Sequence, residues 1–442
     1  MFVSAKRIQA RFERSPLAHR FLAGAWWSVV GSVLTNFLTL ATMMYIARTL
    51  GKETYGQFII IQSTLTMIGV FSGVGIGTTA TRYVAQLKFS DRLRLGKILV
   101  LAERTVLVFG IAAALILMLA SSSIAGGFLH APNIGAPLAI AAASVLFSAL
   151  DSYQKSVLIG GEAMREFAIG SIIGAVISVP LLLIASKQYG LNGVAGALVA
   201  LTFIQFLISR RQMSRVLVKL QISRPRSGAG EEWRVLRDFT LPALFGGILV
   251  APAHWISQTI LTSSPSGYAE LAVLGVAMQW FNVMIFLPSL AGRVVLPILT
   301  EHFVDGQHFQ SAKIIKLAMV SNIIVAAPVA LIVAFASPYI MATYGTDFRN
   351  GTAALALIGL VAVMYVAALP AGQILAAADR MWLAASMNFG WAVIYLGCAY
   401  MLSGYGALGI VASMGIAYFF HSIWTGVYTV RHLSLLRLNA HG

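Results

Sequence analysis

Twelve apolar stretches, each close to the length needed to cross a bilayer, dominate this chain. A hydrocarbon core about 30 Å thick takes about 20 apolar residues at a rise of about 1.5 Å each. With no water to satisfy backbone N–H and C=O groups, such segments must be helical. They run roughly over 21–47, 57–80, 98–123, 135–159, 167–186 and 191–209, then over 239–262, 268–291, 313–336, 352–377, 382–402 and 406–429. The chain reads as an all-α integral membrane protein with twelve transmembrane helices. Charged residues make up 10% of it against 58% hydrophobic, which excludes both a water-soluble enzyme and a disordered chain. Cys398 stands alone, and the eight histidines show no metal-ligand spacing. There is no Walker motif and no nucleophile–base constellation, so neither ATP, a resident cofactor nor enzyme catalysis is expected.

The charges are lopsided: 31 Lys and Arg against 15 Asp and Glu, a net +16. Lys and Arg collect in cytoplasmic loops. With the N-terminus inside and twelve alternating spans, 27 basic residues fall on the cytoplasmic side. Only Arg48, Lys52, Lys187 and Arg349 fall outside. An N-in, C-in topology therefore accounts for the charge, and nucleic acid is not needed to explain it. Basic residues alternate with apolar ones in 1–20 and again in 211–222, the pattern of two membrane-surface helices held by anionic lipid.

The sequence is also written twice. Tyr55 follows span one and Tyr268 follows span seven, in similar surroundings. Tyr189-Gly190-Leu191-Asn192-Gly193 precedes span six, and Tyr405-Gly406-Ala407-Leu408-Gly409 precedes span twelve. Gly160-Gly161-Glu162 after span four matches Ala377-Ala378-Asp379 after span ten. Three matches in order at nearly one offset imply two six-helix lobes. An even number of spans in each makes this a parallel repeat. The expected organisation is a basic cytoplasmic segment over 1–20, an N-lobe over 21–209 and a basic cytoplasmic linker over 210–238. A C-lobe over 239–429 and a cytoplasmic tail over 430–442 complete it.

Two stretches carry a family resemblance. Span one ends in Ile46-Ala47-Arg48-Thr49-Leu50-Gly51-Lys52-Glu53-Thr54-Tyr55-Gly56. Span two ends in Gly73-Val74-Gly75-Ile76-Gly77-Thr78-Thr79-Ala80-Thr81-Arg82-Tyr83-Val84-Ala85. This pair resembles the polysaccharide-transporter (Wzx-type flippase) family of the multidrug/oligosaccharidyl-lipid/polysaccharide exporter superfamily. The resemblance implies a MATE-like fold in the bacterial inner membrane. It implies alternating access that moves an undecaprenyl-pyrophosphate-linked glycan to the outer leaflet, with other polysaccharide-assembly membrane proteins as partners. A multidrug or cation antiporter of the same fold is the alternative. A membrane polymerase or ligase fits less well, because the outer loops are short.

Polar residues at membrane depth are costly and are candidates for function. Gln279, Asn282, Ser289 and Arg293 form one stripe, and His254 and Gln258 lie one turn apart. Ser28, Ser32, Asn36 and Thr39 form another stripe. The resemblance places these helices around the cavity, where such groups would meet sugar hydroxyls and a pyrophosphate. Taken singly, each also reads as a structural group bonded to its own helix or a neighbour, while the span-eight stripe as a set reads as functional. Arg82 reads either as a cationic entrance for the headgroup or as positive-inside anchoring. Arg48 reads either as a phosphate or sugar contact or as part of its turn. Asp151 and Lys155, at i and i+4, read as a salt bridge or as a site of H+ or Na+ coupling.

Overall fold

The computed structural model describes residues 16–225, 227–241, 244, 248–264, 266–304, 308–377 and 381–439. Side chains at 16–28, 74, 290–304, 308–313, 371, 373–377, 381 and 429–439 lie outside that description. Among the described residues, twelve main helices follow one another in the order the hydropathy predicts. The first three are α1 (Pro16–Leu50), α2 (Lys52–Leu87) and α3 (Arg92–Ser123). Helix α4 comes in two collinear pieces, Gly135–Ala141 and Ala143–Gly160. Residues 164–189 form α5 and 191–219 form α6. Short helical turns over 233–240 lead to α7 (Val250–Thr262). The rest are α8 (Gly267–Val304), α9 (His308–Tyr344), α10 (Thr352–Ala377), α11 (Met381–Leu402) and α12 (Gly406–Asn439). No strand occurs among the described residues.

The internal repeat is visible in the backbone. Helix α5 turns into α6 on one residue, Gly190, with φ 55° and ψ −138°. At the matching place between α11 and α12, Gly406 has φ 62° and ψ −142°. Only glycine enters this region without strain, because any Cβ would clash with its own backbone. The Tyr-Gly pairs of the two halves are therefore one structural device used twice. The Ala377-Ala378-Asp379 match and the basic 1–15 segment fall outside the described residues or side chains.

The chain forms two compact units. The first takes residues up to Met43, Ile68–Ala120 and Pro137–Leu244. The second takes Met44–Met67, Ser121–Ala136 and everything from Phe245 on. The compact units thus cut across chain order at the ends of α1, α2 and α3.

The first unit is organised around α2. Ile76, Ala80 and Val84 of α2 pack with Leu95, Leu99, Ala102 and Val106 of α3 and with Ala149, Tyr153 and Val157 of α4. The three- and four-residue spacings give each helix one stripe facing inward. The Tyr153 hydroxyl, fully buried, donates to the Leu99 carbonyl at 2.8 Å. Lipid tails are as apolar as leucine, so helices are held by close packing more than by water exclusion. Glycines provide that closeness. A Cβ on Gly75 would stand 2.4 Å from the Thr240 carbonyl oxygen, and one on Gly160 2.6 Å from the Thr81 carbonyl oxygen. Opposite this seam, α3 exposes Val108, Phe109, Leu115, Ile116 and Leu119, a face suited to lipid.

Residues 211–219 differ from the surface helix expected. They continue α6 without a break, and Met213, Val216 and Leu217 enter the core of the first unit. Arg211, Arg215 and Lys219 remain exposed. The apolar face found protein to pack on, so it does not need the membrane surface. The linker beyond is pinned to α3. Glu232 pairs with Arg94 at 3.1 Å, Glu231 with Lys97 at 2.5 Å, and Arg224 with Glu103.

Glycine-to-alanine changes separate packing from helix propensity. Gly75→Ala and Gly160→Ala force backbone apart and should each cost about 1–3 kcal/mol. Gly69 has nothing within 4 Å of a Cβ, so Gly69→Ala should be neutral or stabilising by up to about 1 kcal/mol. Thermal unfolding in detergent checks all three. Asp151 accepts from Lys155 at 2.8 Å and from Ser209 at 2.6 Å, largely out of solvent. Breaking such a pair from one side costs about 3–5 kcal/mol. Asp151→Asn should therefore lower the melting temperature more than the double change Asp151→Asn, Lys155→Met.

Candidate functional site

Helix α2, α4 and the turn before α7 line an open surface depression of about 630 Å³ in the first unit. Its walls are Gly77, Thr78, Thr81 and Arg82 from α2, Ser152 and Ser156 from α4, and Phe239. The sequence builds these walls by one-turn spacing: Gly77 and Thr81, Thr78 and Arg82, Ser152 and Ser156 are each i, i+4. Gly77 keeps the wall thin, since a Cβ there would lie 2.8 Å from the Ser156 hydroxyl. The approach at Gly75 brings in the segment that carries Phe239. A hydroxyl pair, Thr79 and Thr240 at 2.7 Å, locks that segment to α2.

Arg82 is the centre of the site. Its guanidinium lies 4.3 Å from the centroid of the Phe239 ring. Tyr83 meets the same ring edge-on, with centroids 6.2 Å apart and planes at 85°. A guanidinium over an aromatic face is held by cation–π attraction, which uses none of its N–H donors. Those donors form the fork that fits a phosphate or carboxylate with two parallel hydrogen bonds. Arg82 is exposed, and no carboxylate among the described residues pairs with it. Its neighbours are neutralised instead: Lys88 by Glu162 at 2.6 Å and Lys155 by Asp151 at 2.8 Å.

The hydroxyls around Arg82 are oriented by their own helices. Thr81 donates to the Ser156 carbonyl at 3.0 Å, and Ser156 donates to the Ser152 carbonyl at 2.8 Å. With their protons committed, both oxygens present lone pairs to the cavity and can accept from a sugar hydroxyl. The exposed Ser152 hydroxyl keeps its donor. The cavity therefore combines one free cation with neutral acceptors, an arrangement suited to a ligand with an anionic group and many hydroxyls. No cluster of metal-ligating side chains occurs among the described residues.

The other candidates from the sequence are placed elsewhere. Asp151 and Lys155 stand beside Ser152 and Ser156 on α4 but do not line the cavity. Asn36 is half-buried on α1, while Thr39 in its stripe bonds back to the Thr35 carbonyl. Arg48, His254, Gln258, Gln279 and Asn282 belong to the second unit. His254 joins an aromatic cluster, with Nδ1 3.3 Å from the Tyr395 hydroxyl and its ring edge-on to Trp391. Gln258 is 9% exposed, and its Oε1 has no partner among the described residues. Gln279 is engaged at both ends by tyrosines, and Asn282 is exposed. Arg48 donates to the Thr343 carbonyl at 2.5 Å. The Arg293 side chain lies outside the described ones. Sequence reasoning found Arg82 but missed Phe239, Ser152 and Ser156. The Ser-x-x-x-Ser spacing was a usable signal; nothing near Phe239 announces its distant partner.

Comparison with known proteins agrees with this architecture. The sequence profile of the family described as polysaccharide biosynthesis protein matches residues 21–303. The EPS I polysaccharide export inner membrane protein EpsE of Ralstonia solanacearum is 25% identical over 419 residues, covering 91% of this chain and 92% of that protein. Its counterpart in Ralstonia nicotianae is 24% identical over 428 residues, covering 93% and 94%. Among solved structures, an inward-facing multidrug resistance MATE family transporter of the MOP superfamily superposes with TM-score 0.74 at 13% identity, covering 93% of this chain and 99% of that one. A MOP superfamily transporter from Pyrococcus furiosus gives 0.66 at 13% identity, covering 95% and 96%. At such identities the likeness establishes the fold, which is the twelve-helix MATE-like one. With that fold and a profile match over most of its length, the chain belongs to the polysaccharide biosynthesis protein family.

Proposed function

We propose that the protein is a flippase of the bacterial inner membrane, moving a lipid-linked oligosaccharide or polysaccharide precursor by alternating access. The observation that carries this reading is Arg82, stacked on Phe239 with its donor fork free in a hydroxyl-lined cavity. An undecaprenyl-pyrophosphate-linked glycan offers an anionic diphosphate for the fork and hydroxyls for Thr81, Ser152 and Ser156. The names of the Ralstonia relatives, export proteins of the inner membrane, point the same way. Two lobes of parallel repeat, over 21–209 and 239–429, would supply the alternating access. Within the same proposal, the Asp151–Lys155 pair is the element we assign to H+ or Na+ coupling, because a proton or cation on Asp151 would release Lys155.

A multidrug or cation antiporter is the second reading, favoured by likeness in fold to multidrug MATE transporters. An unpaired cation in the cavity would repel a cationic drug, which argues for the glycan.

Arg82→Ala should reduce surface polysaccharide and leave lipid-linked precursor accumulating on the cytoplasmic leaflet. Loss of a charge-assisted bidentate contact is worth about 2–3 kcal/mol, or about 30- to 150-fold in apparent affinity. Arg82→Lys should recover only part, since an ammonium neither stacks nor forks. Wild-type polysaccharide with Arg82→Ala at normal membrane levels would refute the assignment. Coupling is tested in vesicles with the double change Asp151→Asn, Lys155→Met. The expected outcome is loss of the dependence of transport on the ion gradient.

A further inference from the structure

Three turns of the second unit meet around another depression, of about 340 Å³. They are the turn before α8, the loop between α9 and α10, and the turn between α11 and α12. The charge pattern assigns all three to the outer side. The polar walls are Ser266, Glu270, Asn350 and Tyr405. The other walls are mostly glycine and alanine, so little side chain fills the space.

Glu270 is the centre of this site. Its Oε2 accepts from the Ala407 N–H at 2.9 Å, and its Oε1 accepts from Asn350 Nδ2 at 3.2 Å. A Cβ on Gly406 would collide with the carboxylate, so the glycine that turns the chain also admits Glu270. Lys52 donates to Asn350 Oδ1 at 2.8 Å, and no basic side chain among the described residues forms a salt bridge with Glu270. Each carboxylate oxygen therefore keeps one lone pair of two. Two spare acceptors side by side match two neighbouring hydroxyls.

The internal repeat separates the structural part of this arrangement from the rest. Gln57 follows Tyr55 at the distance at which Glu270 follows Tyr268, and Asn133 precedes α4 as Asn350 precedes α10. Asn133 Nδ2 donates to Gln57 Oε1 at 3.4 Å, the bond that Asn350 gives to Glu270. The first half thus holds its asparagine with a neutral amide. The bond needs no charge, and a half-buried anion costs solvation. Tyr189, the match of Tyr405, is also exposed, so a ring at this place suits the membrane interface in both halves. The carboxylate beside the ring is what the second half adds.

We propose that this depression binds a neutral sugar ring on the outer surface. The spare lone pairs of Glu270 accept from two adjacent hydroxyls, in charge-assisted bonds stronger than neutral ones. The Tyr405 ring, 71% exposed, covers the apolar face of the sugar. The same carboxylate repels an anionic sugar, so the site selects against uronic acids. On the transport reading above, on which this last step alone rests, the site holds the carbohydrate part of the cargo as it emerges.

The test uses the full chain in lipid nanodiscs free of sugar-based detergent. Saturation-transfer NMR reads binding of methyl glucoside, galactoside and mannoside, and of methyl glucuronoside. The unaltered protein should bind at least one neutral hexoside and prefer it to the glucuronoside. Glu270→Gln should weaken neutral binding about tenfold and narrow that preference. Tyr405→Ala, at an exposed position, should weaken it as well, and Tyr189→Ala should not. No hexoside signal in the unaltered protein would overturn the site. So would equal signals in Glu270→Gln and Tyr405→Ala, which would leave Glu270 a cap of α12. Binding is read without transport, so hexoside binding alongside wild-type polysaccharide in Arg82→Ala would keep this site and refute the assignment at Arg82.

Discussion

The close approach of α2 to its neighbours is the constraint on which the described site depends. Gly75 and Gly160 let backbone meet backbone, and Gly77 lets the Ser156 side chain approach, where a single Cβ would hold helices apart. In lipid this matters more than in water, because dispersion between close surfaces replaces most of the hydrophobic drive. The same glycines fix where Arg82 and Phe239 stand. Move the 236–240 turn outward by the width of a methyl group and the guanidinium loses its ring. The glycine-rich stretch that carried the family resemblance is thus a packing surface first, and a site only through what that packing brings together.

The excess of basic residues resolves into distinct uses. Most fall on the side that the charge pattern assigns to the cytoplasm, and several of those are tied up by carboxylates, as Arg94 and Lys97 are by Glu232 and Glu231. Ion pairs this exposed add little stability, but they pin the linker to α3 and remove its charge from competition. Against that neutralised background one stacked, unpaired guanidinium is a distinct electrostatic feature. Without the pairing of Lys88 and Lys155, a diffuse positive surface would hold anions without selecting a place for them.

The spans were legible because lipid imposes a length and a composition that no local context overrides. Most helices share at least one end with the hydropathy boundaries to within a few residues, while α6, α8, α9 and α12 run on well past the predicted ends and α7 starts late. The repeat was legible through Gly190 and Gly406, since a backbone region reserved for glycine leaves a mark in sequence. Side-chain roles were less so. Gln279 reads as a cavity residue until two tyrosines from distant elements, Tyr55 and Tyr344, are found to hold both ends of its amide. The amphipathic 211–219 stretch reads as a surface helix until α2, α3 and α4 supply a protein surface for its apolar face. In each case the missing information was a partner far away in the chain, which periodicity does not encode.

A carrier has to bind and then let go, and the chemistry at Arg82 suits that requirement. A buried, fully paired guanidinium would hold a diphosphate too firmly, and its desolvation would have to be reversed on every cycle. An exposed one held on an aromatic face is already oriented but still largely hydrated, so the contact it makes is directional and moderate in strength. Helix α2 runs unbroken from Lys52 to Leu87, so the cavity residues Gly77, Thr78, Thr81 and Arg82 sit on one rigid helical face.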